Sequence, residues 1–359
     1  MIRVGVVGAS GWAAGSHLPA LAGLDGYEVT AVATTNMTSA GKAAAEHGAR
    51  LAFDDAGALA AHPEVDLVVV SVKAPGHAAV IRAALEAGRH VVSEWPLTVD
   101  PAEADELARA ASEAGVVHAV CLQGRHSPDA LFVRDLVAAG RIGRLESAVL
   151  VAAGDPLGGA VIPAGMEWST EPAGGTTVLT IMAGHFLATL DRITGPLAEV
   201  SARLPRRYDE VAVGDTGRTV ANRVPSQVLL QGTLNGGATA SAVIHGGSGS
   251  PDGFLIKLVG SEGTLTVAPT RPGRYMHWTD WDIRLGGERV EVPASYRTVP
   301  FDPADGPVAN VAAFYQEVGR AITEGRPAAT DFPAAARLHR LLAAVERSAA
   351  SGGAAVEVA

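Results

Sequence analysis

The sequence predicts a two-domain α/β protein. A doubly wound parallel sheet covers residues 1–125, and an α+β domain with an open, largely antiparallel sheet covers residues 126–359. Three observations carry this prediction. The chain begins with a strand, a glycine turn and a helix, and that βα alternation repeats as far as Leu122. From Leu145 onward the alternation gives way to longer β-rich runs. A length of 359 residues exceeds one typical domain, and 48% hydrophobic with 18% charged residues suits two packed cores.

Ile2, Val4, Val6 and Val7 form a β-branched strand, Gly8-Ala9-Ser10-Gly11 breaks it, and Trp12 to Leu21 has the apolar spacing of a helix. Such a turn directs backbone N–H groups and the positive end of a helix dipole at one spot, which suits a pyrophosphate. Gly8, Ser10, Gly11, Trp12 and Ala13 are therefore candidate dinucleotide contacts. Ser10 stands where the usual G-x-G-x-x-G motif has its second glycine, so the phosphates sit slightly higher or take a hydrogen bond from its hydroxyl. Glu28 to Thr34 reads as the second strand. It ends in Thr34, Thr35 and Asn36, with neither a carboxylate to repel a 2′-phosphate nor an arginine to hold one, so NAD and NADP both remain open.

Ser39 to His47 is helical, and a further βα unit runs from Asp66–Val72 into Ala78–Ala87. Ser71, Lys73 and His77 lie at the carboxyl end of that strand, where open α/β sheets place ligands. His77 reads either as a cofactor contact or as a histidine near a helix start, facing water. Pro101 to Ala114 has an amphipathic helical pattern, Val116 to Leu122 is another buried strand, and Gln123, Arg125 and His126 follow its carboxyl end. Arg125 reads as a contact to an anionic or hydroxylated ligand or as one partner of an interdomain salt bridge. Pro128 to Ala139 is helical. The second domain's strands are expected at Leu145–Ala153, Ala198–Leu204, Ser226–Gly232, Ala238–His245, Phe254–Gly260 and Thr264–Val267, with Val211–Arg223 a loop over the substrate pocket. Tyr275, Trp278 and Trp281 form an aromatic group suited to a sugar face or a structural patch. Val308–Glu324 and Phe332–Ser351 close the chain as helices.

Net charge of −10, with lysine only at 42, 73 and 257, argues against a nucleic-acid surface and points to a small-molecule partner. Cys121, the one cysteine, excludes an internal disulfide and a multi-cysteine metal site, and no metal is expected. Apolar runs such as Leu67–Val72 are too short to span a bilayer, and the first residues lack a signal-peptide pattern, so a cytoplasmic location is expected.

The stretch Gly88-Arg89-His90-Val91-Val92-Ser93-Glu94-Trp95-Pro96 resembles the signature Gly-Lys/Arg-His-Val-x-x-Glu-Lys-Pro of the Gfo/Idh/MocA family of dinucleotide-dependent oxidoreductases. His17-Leu18-Pro19-Ala20-Leu21, Gly140-Arg141-Ile142-Gly143 and Gly260-Ser261-Glu262-Gly263-Thr264 match further landmarks of the family in order. GWAAGSHLPAL, SVKAPGH, SEWPL and LQGRHSP are similar to its Gal80-like branch. The resemblance implies a Rossmann first domain, NAD or NADP as cofactor, and homodimers or homotetramers formed through the free face of the second domain's sheet. It also implies that residues 308–351 pack back toward the first domain.

For the site, the resemblance implies that Glu94 has a structural or ribose-binding role and that Pro96 is cis or kinked. Trp95 replaces the family's lysine; indole has no acid–base pKa in the useful range, which leaves it to stack on nicotinamide or close the pocket over substrate. Lys73 is the candidate helper in its place. In Gly174–Gly195, His185 matches the family's general acid/base, while Ile181 and Ala188 stand where carboxylates are expected and Asp191 lies one turn further on. His185 is thus the candidate catalytic and substrate-binding residue, or else a packed core histidine. The implied activity is hydride transfer between nicotinamide and a CH–OH or carbonyl group of a sugar, cyclitol or similar substrate. A non-catalytic NAD(P)-binding sensor and redox-neutral chemistry with retained NAD are the alternatives.

Overall fold

The structure, a computed structural model, describes residues 1–247, 253–272, 275–302 and 306–358. Two compact units partition it: residues 1–123 with 299–337, and residues 124–298 with 338–359. The division falls inside the helix Phe332–Ala350. Among the described residues no helix is long and apolar enough to cross a membrane.

The first unit is built on six parallel strands: β1 (Ile2–Val7), β2 (Tyr27–Ala33), β3 (Leu51–Phe53), β4 (Leu67–Val70), β5 (His90–Glu94) and β6 (His118–Cys121). Their order is β3-β2-β1-β4-β5-β6. Strand order reverses between β1 and β4, so the crevice for a ligand opens at the carboxyl ends of those strands. All four residues of β4 and of β6 are buried, as expected of strands covered on both faces. The helix Val308–Glu324 joins this core through Val311, Phe314, Tyr315 and Val318. Leu51–Phe53 and the short helix Ala56–Ala61 were not expected, since three and six residues are too few to show a period.

The helix expected over Trp12–Leu21 is two pieces, Trp12–Gly15 and His17–Ala22, broken at Ser16 with φ −140°. Pro19 explains the break. In a continuous helix its ring would press on the Gly15 carbonyl, whereas in the first turn of a new helix it is tolerated. The Ser16 hydroxyl donates back to the Trp12 carbonyl at 2.6 Å and takes over that acceptor.

The second unit holds the remaining strands: β7 (Leu145–Gly154), β8 (Val161–Ile162), β9 (Leu197–Arg203), β10 (Glu210–Val213), β11 (Arg218–Ala221), β12 (Gln227–Leu234), β13 (Thr239–Gly246), β14 (Phe254–Gly260), β15 (Thr264–Pro269), β16 (Trp281–Leu285), β17 (Glu288–Val290) and β18 (Val356–Glu357). Nine form one sheet in the order β17-β16-β15-β14-β7-β13-β12-β9-β18, antiparallel except where β7 pairs with β13. Buried Ala148, Leu150 and Ala152 alternate along β7 with Val149, Val151 and Ala153 on the other face. Val211–Arg223 is not the expected loop. Its residues supply a β10–β11 hairpin, which pairs with β8 over a small core of Ile162, Val211 and Val213. Buried Val211 and Val213 alternate with exposed Glu210 and half-buried Ala212, which is a strand pattern that the polar tip Gly214–Gly217 obscured.

Candidate functional site

In the first unit the carboxyl ends of the parallel strands bring together Gly8–Gly11, Thr34–Asn36, Ser71–His77, Trp95–Leu97 and Gln123. Gly8 has φ +90°, and a Cβ there would run into the carbonyl of Ser71, with the carbonyl carbon 2.7 Å away. Gly11 has φ +53°, and nothing lies within 4 Å of where its Cβ would point. Backbone of this kind lets a phosphate approach closely, and the Gln123 Oε1 atom, buried just beyond β6 and without a hydrogen-bond partner among the described residues, offers an acceptor. The residues fit a dinucleotide. The split helix corrects one expectation: Trp12 and Ala13 lie in a four-residue turn, whose summed dipole is small, so backbone N–H groups carry most of the phosphate's stabilisation. After β2, Thr34 bonds the Ser39 hydroxyl at 2.6 Å, Thr35 is exposed, and Asn36 caps the helix Met37–His47.

His77 does not face water. It is 2% exposed, and its ring nitrogens lie 2.8 Å from the Pro96 carbonyl and 2.9 Å from that of Val72, so it ties the loop after β4 to the loop after β5. Trp95 is buried and joined to Pro96 by a cis peptide bond, whereas Lys73 is exposed. Glu94 is anchored: its Oε1 accepts from His17 Nε2 at 2.8 Å, and His17 Nδ1 meets the Tyr315 hydroxyl at 2.7 Å. Cys121 completes the group, its thiol pushed up by burial and by the Glu94 charge. The ligand atoms of His17, Glu94 and Cys121 lie within 4.8 Å of one another, a grouping the sequence did not reveal. The His17–Glu94 distance is that of a direct hydrogen bond, which leaves no room for an ion between them.

In the second unit His185 lies in the first turn of the helix Gly184–Thr194 and is 7% exposed. A π-helical segment, Val178–Ala183, leads into it, a form that recurs at functional sites. Thr177 and Thr180 start that segment with reciprocal caps: each hydroxyl accepts from the other residue's backbone N–H, at 3.1 and 2.8 Å. Asp191 pairs with Arg125 Nη1 at 2.6 Å, and the same nitrogen donates to the Ala188 carbonyl at 2.7 Å. Arg125 thus braces the histidine's helix; of the two sequence readings the structure supplies a salt bridge, and Arg125 and Asp191 belong to the same unit.

The residue the sequence reading missed is His277, from the segment read only for its aromatics. Its ring stands edge-on to that of His185 with centroids 5.4 Å apart. Burial first, and the neighbouring His185 second, hold its pKa well below the ordinary value, so it is neutral. Its signal was weak, because its partner Thr189 lies 88 residues away in sequence.

Asp129 seats the same segment by accepting from the Trp281 backbone N–H at 3.2 Å. Burial raises its pKa from 3.8 to about 6; the Trp281 bond and Arg297 oppose that shift and Asp280 adds to it. The folded chain therefore keeps this proton at a pH where the unfolded chain has lost it. The stability it contributes is complete below about pH 3.8 and is lost as pH rises through about 6. Asp129→Asn, which keeps the acceptor, should melt like the parent near pH 4 and be more stable by roughly 1–3 kcal/mol above pH 6. Thermal melts across pH 4–8 would check this; a constant difference between the two proteins would refute it.

Residues 2–122 match the model of the Gfo/Idh/MocA oxidoreductase family, NAD-binding Rossmann fold. Residues 128–268 match the model of the Gal80p C-terminal domain. The first unit is thus similar to the NAD-binding Rossmann domain of the Gfo/Idh/MocA oxidoreductases, and the second to the C-terminal domain of Gal80p. It is 32% identical to dehydrogenase aclE of Aspergillus oryzae over 53% of this chain and 52% of that one. It is 27% identical to the galactose/lactose metabolism regulatory protein GAL80 of Saccharomyces cerevisiae over 74% of this chain and 66% of that one. The chain therefore spans between about half and two thirds of the length of these relatives. Levoglucosan dehydrogenase in complex with NADH and L-sorbose superposes with a TM-score of 0.86 over 100% of this chain and 99% of that one, at 20% identity, a likeness that shows the fold alone.

Proposed function

We propose that this chain is an NAD(P)-dependent oxidoreductase acting on a hydroxyl or carbonyl group of a sugar, cyclitol or similar small polar molecule, with His185 as proton carrier. The observation that carries the reading is His185 itself, at the family's acid/base position, buried on a helix that Arg125 braces. The absence of an acid or a base at Thr34–Asn36 supports acceptance of either dinucleotide. A levoglucosan dehydrogenase and a dTDP-sugar reductase among the similar proteins support the substrate class.

Bound NAD(P) supplies hydride exchange at nicotinamide C4. Gly8, Ser10 and Gly11 hold its phosphates by backbone N–H groups, and Gln123 offers a buried acceptor. His185 takes the hydroxyl proton when an alcohol is oxidised and returns it in the reverse direction. Lys73, exposed at the carboxyl end of β4, assists by holding the substrate oxygen. Buried Trp95 carries no proton; it shapes the pocket and excludes water.

A second reading is a Gal80-like sensor that binds dinucleotide and metabolite without turnover, favoured by Trp95 at the lysine position and by Ile181 and Ala188 at the carboxylate positions. Calorimetry with NAD⁺ and NADP⁺, followed by a turnover assay at the reduced-nicotinamide absorbance across a panel of sugars and cyclitols, separates the two. Turnover supports the enzyme; tight dinucleotide binding with no turnover across the panel supports the sensor.

The same proposal includes a cytoplasmic homodimer or homotetramer formed through the nine-stranded sheet. Val151 and Leu255, paired across β7 and β14, are 42% and 40% exposed on its outer face, apolar area that a second copy would cover. Light scattering should give a dimer or tetramer for the parent and a monomer for Val151→Glu with Leu255→Glu; a parent monomer would reject this assembly.

A further inference from the structure

We propose that His277, seated by Gly124, is the positioning residue that fixes the His185 ring in place of the absent carboxylates. The inference rests on the reading of His185 as proton carrier. Its basis is one hydroxyl. Thr189 Oγ1 lies 3.1 Å from the His185 carbonyl, one helical turn back, and 3.1 Å from His277 Nε2. A threonine hydroxyl has a single proton; given to the carbonyl, it leaves the hydroxyl to accept from His277 Nε2–H, and in that tautomer the bond anchors the His277 ring, which stands at 62° to that of His185. On its other side Tyr275 stands edge-on to His277, centroids 5.0 Å apart. Thr189 and His277 are both 0% exposed, so water does not compete for the bond.

Gly124 is the independent observation. Its φ is not in the left-handed region, so no backbone requirement selects glycine there. Space does. A Cβ would collide with the His277 ring at Cδ2 and Nε2 and would lie 2.6 Å from Thr189 Oγ1, so any larger residue would part the pair. The next residue, Arg125, grips the same helix through Ala188 and Asp191. The Gln123-Gly124-Arg125 turn therefore makes room for the His277–Thr189 bond with one residue and braces the helix with the next.

The test uses the full chain and four variants. His277→Gln keeps an N–H donor near Nε2, His277→Phe keeps a ring without a donor, Gly124→Ala pushes the ring out, and Thr189→Val removes the acceptor. The readouts are kcat and KM with the best substrate of the panel, and the NMR linewidths of the His185 ring. His277→Gln should stay close to the parent in both. His277→Phe and Gly124→Ala should lose roughly 10²-fold in kcat at unchanged KM, the scale of a misplaced reacting group, with the His185 ring signals broadened. If His277→Phe leaves both readouts unchanged, or if His277→Gln fails as badly as His277→Phe, the inference is overturned. Should His277→Phe not fold, Thr189→Val answers the same question. If His185→Ala leaves turnover intact, or no substrate turns over, the proton-carrier reading has failed, and the His185 linewidths still decide whether His277 positions that ring.

Discussion

His185→Ala is expected to lower turnover by about 10²–10⁴-fold, the usual contribution of a positioned acid or base, while dinucleotide affinity stays at the parent value. The proposed function assigns affinity to the glycine turn and strand ends of the first unit, whereas His185 belongs to the second. Little stability should be lost, because the helix keeps its Arg125 brace and the Thr177–Thr180 caps. Parallel calorimetry and steady-state rates measure both quantities. Unchanged turnover would remove His185 from the mechanism and leave Lys73 as the remaining candidate. Loss of dinucleotide binding would mean that the residue holds cofactor rather than a proton.

Gly8→Ala is expected to weaken dinucleotide binding at least tenfold and lower stability together. At φ +90° an alanine occupies backbone that L side chains rarely adopt, at roughly 1–3 kcal/mol. Its Cβ also meets the Ser71 carbonyl, which is backbone of the β4 end and cannot swing away as a side chain would. Relief requires the turn to rise off the strand end, out of reach of the phosphates. Each 1.4 kcal/mol of misfit weakens binding about tenfold, so calorimetry should show affinity down by at least that factor. Gly11→Ala is the control: its φ is +53°, but its Cβ points into open space, so the strain comes without the collision. If Gly8→Ala binds NAD⁺ and NADP⁺ as the parent does, the phosphates do not rest on this turn.

Much of this was legible along the chain because it depends on near neighbours. Val4–Val7 and Leu67–Val70 are apolar at every position because helices cover both faces of their sheet, and β7 alternates because its sheet has one face covered. Pro101–Ala114 and Val308–Glu324 show their period and their ends. The glycine turn, the Glu94-Trp95-Pro96 signature and His185 are local patterns as well. The break at Ser16 was present in the sequence as Pro19 and was overridden by apolar spacing. The β10–β11 hairpin was hidden because the strands are only four residues each.

The sequence by itself determined the fold class and the resemblance to the Gfo/Idh/MocA oxidoreductases, and it singled out the glycine turn and His185 as candidates, since each rests on residues close together in the chain. Tertiary structure alone decided what those residues touch. It gave His77 to two backbone carbonyls, Glu94 to His17, Arg125 to Asp191, and His277 to Thr189 across 88 residues. A hydrogen bond is set by distance and angle in space, and no period or spacing along the chain encodes which distant donor will arrive there.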